Sequence, residues 1–107
     1  MATMHGILGQ AAPSGAQLTT IYTAPAARHA TARMIVTNRS SVDLFRIAVS
    51  PAGAAIEAKH YIAYDKAIGA NDSVSSAAFT VKETDVVRVY ATNGNLSFTL
   101  TGIEEDG

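Results

Sequence analysis

From Leu18 onward the chain repeats one pattern: six to nine residues rich in Val, Ile, Thr, Tyr and Phe, then a cluster of Gly, Pro, Asn, Asp or Ser. Within several runs apolar and polar residues alternate with a period of two, as on a strand buried on one face. In TARMIVTN (31–38), Ala32, Met34 and Val36 fall on one face and Thr31, Arg33, Ile35 and Thr37 on the other. In LFRIAVS (44–50), Phe45, Ile47 and Val49 oppose Arg46; in LSFTLTGI (96–103), Leu96, Phe98 and Leu100 share a face. Further strands are predicted over 18–24, 60–65, 73–81 and 86–92, seven in all. Asn93-Gly94 predicts a type I′ hairpin between the last two strands, because both its central residues need positive φ. The Ala-rich 52–59 segment has helical propensity but is too short to stand alone. Residues 1–17, rich in Gly, Ala and Gln, keep no sustained period and read as an extended N-terminal arm. The expected fold is all-β: a single-domain antiparallel β-sandwich of about seven or eight strands, jelly-roll or immunoglobulin-like, over 18–107, with the arm at 1–17.

Composition narrows the function. The chain has 107 residues, 48% hydrophobic and 16% charged, which suits one globular core rather than disorder or a coiled coil. Eight Lys and Arg against nine Asp and Glu leave a net charge of −1, without the basic surplus that counterion release on nucleic acid requires. The absence of cysteine removes disulfides, cysteine–zinc sites and thiol catalysis, and suits assembly in a reducing cytoplasm. No apolar run is long enough for a membrane-spanning helix, and the apolar patch after Met1 has no basic residue ahead of it, so it does not read as a signal peptide. The sequons at 38–40, 71–73 and 95–97 are then chance matches in Asn- and Ser-rich turns.

The stretch KHYIAYD (59–65) gathers an ammonium, an imidazole, two phenols and a carboxylate. On a strand, His60, Ile62 and Tyr64 would share one face and Lys59, Tyr61, Ala63 and Asp65 the other. His60 and Asp65 then diverge, so no Asp–His dyad forms here. The three histidines, His5, His29 and His60, lie in an arm, a turn and a strand, with no metal-ligand spacing. Asp72 and Asp85 read as turn residues that bind local backbone amides. No catalytic, cofactor-binding or metal-binding residue is assigned and no cofactor is expected. Arg33 and Arg88 stand on strand faces otherwise lined by apolar or hydroxyl groups, which fits either a solvated face or a subunit contact.

Taken together, the strands and turns resemble a group of small structural proteins of tailed phages and phage-like gene transfer agents. The resemblance covers about residues 7–104, and its most specific parts are FRIAVSPAGAA (45–55), HYIAYD (60–65), and DVVRVYA (85–91) with LSF (96–98). It departs at PAARHA (25–30), where relatives usually place a glycine. It implies a β-sandwich built into a virion, assembled in the bacterial cytoplasm: a head-associated spike base or capsid decoration protein, or else a tail or baseplate fibre-attachment protein. It implies no enzyme. The expected partners are further copies of the chain and other virion proteins such as capsid or fibre, with a host-surface glycan as an additional candidate, and neither nucleic acid nor membrane insertion. Candidate assembly contacts are Met4, Ile7, Leu8, Arg33, Arg46, Tyr61, Tyr64 and Arg88. A carbohydrate-binding sandwich is the competing reading, with Tyr22, Tyr61, Tyr64 or Tyr90 stacking on sugar rings. Its mark would be two tyrosines on one exposed face beside a carboxylate.

Overall fold

A computed structural model describes residues 3–106. Among them are nine strands: β1 (Thr3–Ala11), β2 (Thr19–Thr23), β3 (Arg28–Asn38), β4 (Asp43–Ser50), β5 (Tyr61–Ile68), β6 (Ser73–Ser75), β7 (Phe79–Val81), β8 (Val86–Ala91) and β9 (Leu96–Asp106). They form two antiparallel sheets packed as a sandwich. The first runs β1-β9-β3, with β6 and β7 sharing the far edge of β3; the second runs β2-β8-β4-β5. With β6 and β7 taken as one interrupted strand, the pairings nest: β1 with β9, β2 with β8, β3 with β6 and β7, β4 with β5. This is an antiparallel ribbon rolled over itself, the jelly-roll arrangement rather than the immunoglobulin one.

The alternation read from the sequence builds the core. Ala32, Met34 and Val36 of β3, Phe45 and Ile47 of β4, Val87 and Val89 of β8, and Leu96, Phe98 and Leu100 of β9 are all buried between the sheets. Phe45 meets Phe98 across the gap edge to face, ring centres 6.3 Å apart. Each of these side chains larger than alanine contributes about 1.5–3 kcal/mol of burial. At one end the sheets are strapped together: Tyr22 of β2 donates to the Glu104 carboxylate of β9, which also accepts from Arg28 of β3 at 3.2 Å.

Several expectations are corrected. Residues 3–11 are not a detached arm but the edge strand β1, paired with β9 from Thr3 to Ala11. Leu8 turns inward onto the core, and Gly9 lets the chain press against the Ile21 backbone of β2. The strand expected over 73–81 breaks at 76–78, where Ser76 replaces a strand partner: its amide donates to Met34 O and its hydroxyl accepts from Met34 N. Asn93-Gly94 is not a type I′ hairpin. β8 and β9 belong to different sheets, and of the two residues only Gly94 has positive φ, at 74°. The buried carboxylate of Asp43 shapes this crossover instead, accepting from the amides of Asn93 (2.8 Å) and Asn95 (3.0 Å) as well as Leu44 (2.8 Å). His60 precedes β5 rather than opening it. It ends a 3-10 turn (Ala58–His60), and its Nδ1 accepts from the Glu57 amide. Asp72 and Asp85 do bind local amides, those of Ser73 and Lys82.

Candidate functional site

The outer face of the second sheet carries the densest chemistry. β4 and β8 place Arg46 directly opposite Tyr90, with Ile47 and Val89 turned into the core behind them. β5 runs along the other side of β4 in irregular register: Phe45 faces Lys66, Ile47 faces Ala63 and Ala48 faces Tyr61. Two register shifts therefore fall within β5, and Asp65 takes a left-handed φ of 50°. The expected parity is lost, and Tyr61 and Tyr64 meet instead of diverging. Their rings stand edge to face, 4.8 Å apart at 81°.

Arg46 is the centre of the cluster. Its guanidinium carbon sits 4.3 Å from the Tyr64 ring centre and 4.4 Å from that of Tyr90. Its Nε and Nη2 donate to the two carboxylate oxygens of Asp65, at 2.6 and 3.3 Å. The Asp65 hydrogen bond, more than any other influence, pushes the guanidinium pKa up against the opposing effect of desolvation, so Arg46 stays charged. Stability gains little from this. Each exposed cation–π contact is worth about 0.5–1 kcal/mol and a surface ion pair about the same or less. The larger effect is preorganisation. Four long side chains are held in one geometry before anything binds, which lowers the ordering cost of association. Tyr and Arg are also the residues that dominate binding energy at protein interfaces.

Of the anticipated contacts, Arg46, Tyr61 and Tyr64 come together here. Arg88 extends the same face, two residues from Tyr90 along β8, with Nη1 donating to Ser50 Oγ at 2.6 Å. Arg33 lies on the outer face of the first sheet, opposite Thr101, and Ile7 pairs with Thr101 from the other side. Leu8 is partly buried and packs against the core, and the Met4 side chain lies outside the described residues. Sequence reasoning placed Tyr90 only among rings that could stack on sugar and turned Asp65 away from the Tyr64 face, so neither was named as a partner of Arg46. The spacing of Arg88 and Tyr90 on one strand face was a usable signal for Tyr90; the bulge that turns Asp65 toward Arg46 left none.

Two concavities adjoin the cluster and share Tyr64. One, of about 470 Å³, opens between β5 and β6 and reaches Val36, Phe45 and Ile47 of the core. The other, of about 460 Å³, lies among Ile56, Glu57, Ala58, Tyr61 and Tyr64. His60 and Asp65 are bonded to the Glu57 amide and to Arg46 respectively, not to each other. No cluster of three or more His, Asp or Glu suited to a metal ion occurs among the described residues. What the surface offers is stacking, apolar contact and fixed hydrogen-bonding groups. Comparisons with protein-family models, curated proteins and solved structures found no match.

Proposed function

We propose that the protein is a structural component of a tailed phage or phage-like particle, a head-associated spike base or capsid decoration protein that works by oligomerising and docking. The observation that carries this reading is the preformed Arg46–Tyr64–Tyr90 stack clamped by Asp65, a partly exposed surface suited to contact rather than proton transfer. The sequence resemblance adds the particle, and the jelly roll is a fold used by capsid proteins, a support by analogy alone. The test is mass spectrometry and antibody labelling of purified particles from cells that express the chain. The protein should copurify with heads at a fixed stoichiometry, and Arg46→Ala with Tyr64→Ala should lose that association while remaining folded. Recovery with tails alone would favour the fibre-attachment role, and absence from particles would overturn the proposal.

A specific observation also favours a glycan-binding reading. Tyr61 and Tyr64 share a surface with the carboxylates of Glu57 and Asp65 beside them. Asp65 is engaged by Arg46, which leaves Glu57 as the acceptor for a sugar hydroxyl. Glycan-array binding that disappears in Tyr61→Ala would establish this role; an empty array would remove it.

A further inference from the structure

The two lateral edges of the sandwich differ. Where β1 lies over β2 the sheets are closed, because Gly9 brings the backbones into contact. At the opposite edge, β5 and β6 stay apart. The break at 76–78 and the bulge at Asp65 flank this gap, and the 470 Å³ cleft opens between the two strands. Its mouth exposes Ile62 (48%) and Tyr64 (58%), and its floor is core side chain. An apolar cleft open to water is unfavourable until something fills it. Among the described residues lining it, Lys66 is the one that carries a charge.

The outer face of the first sheet, beside the closed edge, carries the converse features. Ile7 of β1 is 62% exposed, the most exposed large hydrophobic side chain among the described residues. Ile103 of β9 is its diagonal neighbour across the β1–β9 ladder, itself 37% exposed. Two residues beyond Ile103 on the same face stands Glu105, about 7 Å farther along the strand. That face thus presents two apolar knobs and a carboxylate, and the open edge an apolar cleft and an ammonium. Complementary features on two different surfaces of one molecule are what head-to-tail association requires, and a ring results when the rotation closes.

We propose that the cleft between β5 and β6 receives the Ile7–Ile103 knobs of a second copy of this chain, with Lys66 of one copy paired to Glu105 of the next. The inference rests on the self-assembly part of the proposed function and names its interface. The cleft shares Tyr64 with the Arg46 stack, while Arg46 and Tyr90 themselves are not among the residues that line it.

The experiment is sedimentation velocity on the full-length chain over a range of concentrations, with circular dichroism as a check on folding. Wild type should self-associate. Ile7→Asp and Lys66→Glu should each weaken association by at least about tenfold, the loss expected when a well-buried apolar anchor is replaced by a charge or a complementary charge is reversed into a like one. Glu105→Lys combined with Lys66→Glu should recover most of the loss, because the reversed pair regains its attraction. Lys82→Glu, the same charge change on a distant turn, should have no effect. If Lys66→Glu does not fold, Lys66→Gln serves in its place, with a smaller effect expected. A wild-type chain that is monomeric throughout overturns the inference and removes self-assembly from the function, while particle copurification still decides docking on other proteins. An oligomer indifferent to Ile7→Asp and Lys66→Glu, or one not rescued by the double reversal, overturns this interface and leaves the function standing.

Discussion

Replacing Asp43 tests how the chain passes from one sheet to the other. The Asp43 side chain is 1% exposed, and its carboxylate accepts from three amides, two of them in the crossover between β8 and β9. In Asp43→Asn the shape is kept. One oxygen can still serve two amides, but the new NH2 group must face the Asn95 amide, donor against donor. A hydrogen bond to a charged group is worth about 1.5–3 kcal/mol, and the stranded amide adds about 1–3 kcal/mol. Removing a buried charge returns part of its desolvation cost. The net expectation is a loss of about 3 kcal/mol for Asp43→Asn and more for Asp43→Ala, which leaves all three amides unmatched. Urea unfolding should show a lower midpoint with an unchanged slope, and Tm should fall by about 12–18 °C for a domain of this size. Amide exchange gives the local reading, with Asn93 and Asn95 losing protection first. A loss below about 1 kcal/mol for Asp43→Ala, or protected Asn93 and Asn95 amides in that variant, would refute the reasoning.

Four further outcomes follow from the same geometry. Gly9→Ala places a Cβ against the Ile21 carbonyl oxygen and should destabilise by about 1–3 kcal/mol in chemical denaturation. Deleting residues 1–12 strips β9 of a partner strand and uncovers the core beneath Leu8, so the truncated chain should melt far below wild type rather than stay a stable domain. Gly94→Val should cost about 1–2 kcal/mol from the left-handed backbone alone, with a contact against Gly15 added to it, again read as a shift in Tm. Burial first, then the hydrogen bond and charge of Glu104, push the Tyr22 pKa well up, partly offset by Arg28. The folded chain therefore holds that proton where an unfolded tyrosine, with a pKa of about 10, releases it. Stability should fall as pH rises above about 10, by at most about 1.4 kcal/mol per pH unit from this group, and Tyr22→Phe should flatten that limb of the stability curve.

The sandwich was legible in the sequence because β3, β4, β8 and β9 each bury one face and so keep most of an alternation of apolar and polar residues. β1 escaped notice because HGILGQ has no such alternation. It is an edge strand with a register shift between Ile7 and Gly9, and its glycines serve curvature and close approach rather than burial. The crossover at 93–94 escaped for a different reason. A local turn signal was overridden by a carboxylate fifty residues away in the chain. Of the five-residue docking cluster, Arg46, Tyr61 and Tyr64 were legible as residue types. Its geometry was not, because it depends on the Arg46–Tyr90 register and on the bulges of β5, which no periodicity encodes.

The nested pairing of the ribbon also sets an order of assembly. β4 and β5 are joined by the shortest span among the four nested pairs, and each pair outward spans more chain, ending with β1 and β9. Closing a longer loop costs only slowly more entropy, so each pair can form against the one already in place, zipping from the inside out. The first sheet then cannot be completed until β9, the last strand in chain order, has left the ribosome, since β9 lies between β1 and β3. Until that moment β3 shows an unpaired edge and an apolar face to the cell, the condition in which strand proteins misassociate. Folding should therefore be late, non-local and slow for so short a chain, and yield in the cell should depend on temperature and chaperone supply more than its final stability suggests.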